Sequence, residues 1–312
     1  MVASRAIEPG VGGFISSREG ETGCSERRPR KALHAMRHRN RGEPTGGSVA
    51  GAIVRTHGRP PYGVAVVHGG PGAGGEMEPV ARVVARQRGV LEPIQTADSV
   101  NAQVAELRRV LEREAALPAV LVGFSWGAWL SFILAARHQG LVRKLVMIGS
   151  GPFAARYATE VGARRMERLT EEERDAFERA RAALNCGTTK DRDAALARLG
   201  ALARKADAYD PLPQATDETI VPDAAIFEKV WCEASELRER GVLLELGLKI
   251  TCPVVAIHGD YDPHPAEGVR RPLGSVVEDF EFLLLERCGH VPWIERQARA
   301  TFFRVLQKTL ST

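Results

Sequence analysis

The stretch VLVGFSWGAWL, residues 120–130, limits the fold more than any other part of the chain. Val120, Leu121 and Val122 form an apolar run that stops at Gly123. Ser125 then stands between Phe124 and Trp126, and Gly127 opens a second apolar run. A buried strand that becomes a helix across one residue must force that residue into a strained backbone conformation. Side chains two positions before and after it would collide with their surroundings, so glycine is needed at both places. The serine is thereby lifted clear of the sheet. Its backbone faces the helix N-terminus, where partial positive charge favours a developing anion.

The rest of the sequence supplies the sheet that such a turn needs. Residues 63–67, 89–94, 119–123 and 143–149 read as short apolar strands. Val100, Val104, Leu107 and Leu111 recur at helical spacing. WGAWLSFILAARHQG reads as a helix closing at Gly140, a C′ glycine. Strand, helix, strand, helix, strand implies a mostly parallel sheet with helices on both faces. From residue 152 to 247 the strand pattern stops and helices are expected. One begins at Thr170 with Glu173 three residues on, the spacing of a capping box. Strands resume at 253–259 and 279–286, and residues 293–310 read as a final helix. Ahead of residue 63, SVAGAIVRTHG is a single short strand candidate. The expected organisation is a disordered basic leader over 1–48, an α/β core over 49–151 and 248–312, and a helical cap over 152–247.

Charge separates the leader from the rest. The 312-residue chain has a net charge of +4, and residues 1–48 hold nine lysines and arginines against five acidic residues. The excess therefore sits in the leader and the remainder is neutral, which argues for no nucleic-acid partner. Met36 is a candidate start. Cys24, Cys186, Cys232, Cys252 and Cys288 show no metal or disulfide spacing, which suggests reduced thiols. No apolar stretch is long enough to span a bilayer, and a cytoplasmic location is expected.

A nucleophilic serine needs a base, and the base needs an orienting carboxylate. PVVAIHGDYDPHP places Asp260 and Asp262 past one strand end, and FLLLERCGHVPW places His290 past the next. Asp262 lies further out in its loop and is preferred; Asp260 reads as a turn or capping residue. His264 is the runner-up base. His68 and His258 each end a strand before glycine and are expected to hydrogen-bond locally. VVHGGPGAGG, residues 66–75, runs from a strand into a loop able to aim backbone N–H groups at a substrate. Gly70, with Gly69 as the alternative, and Trp126 are the expected oxyanion donors. Phe153, Tyr157, Tyr209, Phe227 and Trp231 are candidates for an apolar pocket. Glu76 and Glu78 are candidates for holding a substrate ammonium.

With HGGPG, the serine turn followed by Trp126, the order Ser125, Asp262, His290 and a helical insertion late in the sheet, the chain resembles the α/β-hydrolase superfamily, and within it the proline iminopeptidase-like branch. The resemblance covers roughly residues 50–312. It implies an α/β-hydrolase fold with a cap and an acyl-enzyme mechanism. His290 would deprotonate Ser125, Asp262 would fix the imidazole, and Gly70 and Trp126 would hold the oxyanion. The expected function is a serine hydrolase cleaving small ester or amide substrates. A proline-releasing aminopeptidase and a non-catalytic small-ligand-binding member of the fold are the alternatives. The expected partner is a small molecule or short peptide. No cofactor or metal is expected, and the oligomeric state is left open.

Overall fold

The computed structural model describes residues 47–49, 52–72, 74–186, 189–213 and 222–311. The expectations of a disordered leader and of Met36 as a start lie outside these residues. Gly47 and Ser48, assigned to that leader, are instead part of the first strand.

The chain runs β1 (Gly47–Val49), β2 (Ala52–His57), β3 (Tyr62–Val67), α1 (Glu78–Val84), β4 (Gly89–Ile94), α2 (Val100–Glu114), β5 (Ala119–Phe124), α3 (Trp126–Arg137) and β6 (Val142–Ile148). Helices α4 (Ala155–Arg168), α5 (Glu171–Cys186), α6 (Thr189–Asp207), α7 (Ala224–Glu239) and α8 (Val242–Glu245) follow before β7 (Val254–Gly259). Then come α9 (Glu267–Gly274), β8 (Phe280–Leu285) and α10 (Arg299–Ser311). The eight strands form one sheet in the order β1-β2-β4-β3-β5-β6-β7-β8. The β1/β2 and β2/β4 pairings are antiparallel and the other five parallel. The single strand expected at SVAGAIVRTHG is thus a hairpin on the sheet edge.

Alternation in the strands builds two cores. Ala65, Val67, Leu121, Leu145 and Ala256 face one way, against α2, α3 and α7. Val64, Val66, Val120, Val122 and Val146 face the other, against α1 and α10. Strands buried on both faces have no polar side to display, which is why they read as continuous apolar runs. A third, smaller cluster joins α5 and α6 through Phe177, Leu184, Leu196 and Leu199. The insertion is therefore divided. α5 and α6 hold each other, while α7 sends Val230 and Ala234 into the main core beside α3.

Two helix ends differ from expectation. α3 stops at Arg137, with His138 as its C-cap, and Gly140 falls in a short 3-10 turn. The last helix begins at Arg299, because Glu295 is turned inward to serve backbone donors elsewhere. The expected capping box is present. The Thr170 N–H donates to Glu173 Oε2 (3.1 Å), and the Glu173 N–H donates to Thr170 Oγ1 (3.4 Å). Among the described residues no helix is long and apolar enough to cross a membrane. Cys232, Cys252 and Cys288 are unpaired.

Thr170→Ala removes one half of the cap of α5. It is expected to cost about 1 kcal/mol, read as a shift of the denaturation midpoint at unchanged m-value.

Candidate active site

Ser125 occupies the turn between β5 and α3 with φ 51° and ψ −114°. Such a conformation is strained for a residue with a side chain and survives only where its surroundings over-determine it. They do so here. The Ser125 N–H donates to the Ile148 carbonyl at 2.9 Å, tying the turn to β6. A Cβ at Gly123 would collide with the Gly127 backbone, and one at Gly127 with the carbonyls of Val67 and His68. Both glycines are therefore there for close backbone approach. The Trp126 indole turns away into the core, where it donates to Gln103 Oε1 (2.9 Å). Its backbone N–H is left at the first position of α3.

The loop after β3 is held by a buried histidine. His68 Nδ1–H donates to the Gly69 carbonyl (2.6 Å), and Nε2 accepts from the Gln95 N–H (3.2 Å). Burial pushes its pKa down to about 4, so the ring is neutral and keeps this tautomer. Glu76 returns beneath the loop, where the Gly69 backbone hydrogen-bonds its carboxylate. Gly70, at φ 38°, lines the space beside Ser125. Burial foremost raises the Glu76 pKa, against the opposing charges of Arg204 and His290.

Asp262 is the hub of the site. It is 1% exposed, and its Oδ2 accepts from His290 Nδ1–H at 2.7 Å. Its Oδ1 accepts from the backbone N–H of His264 (2.9 Å) and from the His264 ring at Nδ1 (2.7 Å). His258 Nε2 lies 3.6 Å away and hydrogen-bonds the His264 carbonyl (2.8 Å). Burial works against the Asp262 carboxylate. The charges of His290, His264 and His258 outweigh it and hold the pKa well below the ordinary range. His290 is raised: burial opposes its charge, but the Asp262 charge and hydrogen bond prevail. His264 is lowered to about 4, with burial the largest cause and Asp262 opposing it. Asp260, expected as a turn or capping residue, instead accepts from the Cys288 N–H at 3.0 Å and links the loops after β7 and β8.

The His290 loop is clamped by two residues that carry no motif. The His290 N–H donates to the Asp207 carbonyl at 2.9 Å, at the end of α6. The Asp207 carboxylate is gripped by Arg165 Nε (2.8 Å) and Nη2 (2.6 Å). Glu295, fully buried, accepts from the N–H groups of Tyr209 (2.8 Å), Asp210 (2.8 Å) and Gly289 (2.9 Å). One carboxylate thus ties the segment just after α6, within the helical insertion, to the loop that carries the histidine. A glutamate inside an apparently helical run gives no sign of this in the sequence.

Ser125, Gly70, Trp126, His264 and His290 share a cavity of about 310 Å³. Its apolar walls come from α4–α7, including Met166, Phe177, Leu199, Phe227 and Trp231. Trp231 stacks between Trp129 (5.9 Å) and Phe227 (6.2 Å). A second cavity of about 190 Å³ reaches Gly70, Ser125 and His290 from the side of Glu76 and Arg204. Several candidates lie elsewhere. Glu78 begins α1 and pairs with Arg82 and, at 3.5 Å, with Arg55; it lines neither cavity. Tyr209 is 43% exposed and packs edge-on against Tyr261, also outside both. Phe153 is a core residue against Trp129 and Phe132. Tyr157 packs beside Gly268 and lines neither cavity.

Asp262, His264 and His290 each place a possible metal donor within 4.8 Å of the others. Both Nδ1 atoms are already engaged with the carboxylate, so a cation there would have to displace those bonds.

A model of the alpha/beta hydrolase family matches residues 50–302, from the second strand to the last helix. The chain belongs to the α/β-hydrolase family. A search of curated proteins finds no match. Among solved structures, VinJ is similar over 86% of this chain and 98% of its own, at 19% identity and a TM-score of 0.63. The thioesterase domain from the curacin biosynthetic pathway is similar over 86% and 99%, at 18% identity and TM-score 0.55. A proline iminopeptidase from Mycobacterium smegmatis is similar over 86% and 98%, at 18% identity and TM-score 0.53. At these identities the likeness is one of fold.

Glu295→Ala strands three backbone donors. It is expected to lower global stability by about 3 kcal/mol or more, measured by urea denaturation.

Proposed function

We propose that this α/β-hydrolase cleaves ester or amide bonds through an acyl-enzyme on Ser125. One observation carries the reading. A serine held at φ 51° shares both cavities with a histidine whose Nδ1–H is bound to a buried carboxylate. Bonding at Nδ1 leaves Nε2 of His290 as the acceptor, the tautomer a general base requires. His264 also bonds Asp262, but it lines only the larger cavity. His290 is therefore the base.

In the first half-reaction His290 takes the Ser125 proton as the hydroxyl oxygen attacks the acyl carbon. The negative charge that develops on the acyl oxygen is met by the N–H groups of Gly70 and Trp126. Gly70, which lines both cavities beside Ser125, is the loop donor. The N-terminus of α3 adds its dipole. His290 then protonates the leaving group, and water releases the acyl group by the same path in reverse. Asp262 stays ionised throughout and stabilises the imidazolium. Loss of one oxyanion donor typically costs roughly 100- to 1000-fold in rate.

A second reading rests on Glu76. Its carboxyl lies in the smaller cavity with Ser125 and His290, where it could hold the ammonium of a peptide N-terminus. An aminopeptidase would need such a group, and an ammonium there would draw the raised Glu76 pKa back down. Turnover of proline p-nitroanilide, with a KM raised in Glu76→Gln, is the result that would favour this substrate class over simple esters.

A fluorophosphonate probe is expected to label the wild type at Ser125 and to leave Ser125→Ala unlabelled. Hydrolysis of p-nitrophenyl butyrate should fall at least about 1000-fold in that variant. An unlabelled wild type that turns over no ester or anilide would reduce the protein to a ligand binder.

The pH profile follows from His290. The base acts only when neutral, so kcat/KM falls as pH drops through its pKa. Because that pKa is raised, the acid limb is expected above 6.5, the ordinary histidine value. Asp262→Asn should move the limb downward and reduce kcat.

A further inference from the structure

Helix α7 packs through residues spaced four apart: Val230, Ala234 and Arg238 are all buried. The first two are core residues facing α3. The third is the only buried arginine among the described residues, at 6% exposure. Its guanidinium lies over the Trp129 ring, 5.6 Å from the centroid. Its Nε is shielded from solvent and has no hydrogen-bond partner.

The other cationic groups of the larger cavity are satisfied. Arg165 is held by both oxygens of Asp207, and Arg181 by Glu178. Arg238 has no such carboxylate among the described residues. The acidic neighbour that acts on it is Glu239, one residue on and exposed to solvent. Burial pushes the Arg238 pKa down, as expected of a cation in apolar surroundings without a counter-charge. A buried cation without a counter-charge is costly. A site built this way is completed by an anion.

Arg238 lines the same cavity as Ser125, Gly70 and His290, with Trp231 and Phe227 between the cap helices and the floor. A guanidinium presents a planar fork that matches a carboxylate, and the Trp129 ring 5.6 Å away makes no hydrogen bond that would occupy it. We propose that Arg238 is the carboxylate-binding residue of the substrate site, so that the preferred substrate is an ester or amide bearing an apolar segment and a carboxylate. This specificity rests on the acyl-transfer reading of Ser125, and it can be tested apart from it.

The test compares p-nitrophenyl half-esters of the straight-chain dicarboxylic acids, succinate to suberate, with neutral acyl esters of the same carbon number. A second pair places the carboxylate on the leaving group, as acyl esters of 4-hydroxybenzoate against phenyl esters. For wild type, at least one anionic substrate should exceed its neutral counterpart in kcat/KM. In Arg238→Gln that ratio should fall roughly 10- to 100-fold, mainly through KM, with partial recovery in Arg238→Lys. A merely destabilised variant would lower both members of a pair alike and leave the ratio unmoved. Calorimetry on Ser125→Ala gives a readout free of catalysis. The dicarboxylate of the preferred length should bind, and the Ser125→Ala/Arg238→Gln double variant should lose it. Arg238-dependent binding without turnover of any ester would keep this site and end the hydrolase reading. Turnover with a ratio indifferent to Arg238 in both series would end this proposal and leave the hydrolase reading in place.

Discussion

The close approach of backbone to backbone around Ser125 is the constraint on which the structure turns. Gly123 and Gly127 let β5 and α3 meet the carbonyls of Val67 and His68 with no side chain between them. The same approach places the N-terminus of α3 beside the loop after β3. Strain at Ser125 is held by the bond to Ile148 and by the fully buried β5, which is paired with β3 on one side and β6 on the other. A turn of this kind could not persist on an isolated hairpin. It needs a parallel sheet sealed on both faces, and the two core clusters supply that seal.

Around that fixed point the polar groups form one connected system. Asp262 gathers His290, His264 and, more distantly, His258 about a single carboxylate. Asp207 and Glu295 then fasten the histidine loop to the end of α6, within the helical insertion. Holding the imidazole is thus coupled to holding the cap, because the same backbone segment, residues 207–210, takes part in both. Apolar walls from the insertion and a polar floor from the sheet make a cavity in which a buried, unpaired charge such as Arg238 is costly.

Much of this was legible in the residues. The strands β3, β5 and β7 are apolar runs bounded by glycine, proline or polar residues, recognisable because burial on both faces removes alternation, whereas the edge strand β8 leaves Glu281 and Leu284 exposed. Asp262 could be preferred to Asp260 from its place in the loop, and the structure gives Asp260 a bond to the Cys288 N–H on the neighbouring loop instead. Two helix ends lie beyond what local pattern fixes. α3 ends at Arg137, short of Gly140, and the last helix starts at Arg299 and not at Trp293 because Glu295 is claimed by distant N–H groups. Glu78 looked like a neighbour of the site on the strength of two residues of separation from Glu76. A turn and the start of α1 send the two carboxylates to different partners.

The sequence by itself determined the serine turn, the parallel sheet and the presence of a helical insertion, because each depends on contacts between residues close in the chain or on the burial of whole segments. Only the tertiary structure decided which carboxylate meets which imidazole, which glutamate reaches the cavity and which arginine is left without a partner. Those are differences of a few ångströms between side chains from distant segments. They are fixed by packing, and a hydrogen bond or an ion pair has no reality in the sequence until packing has set the distance.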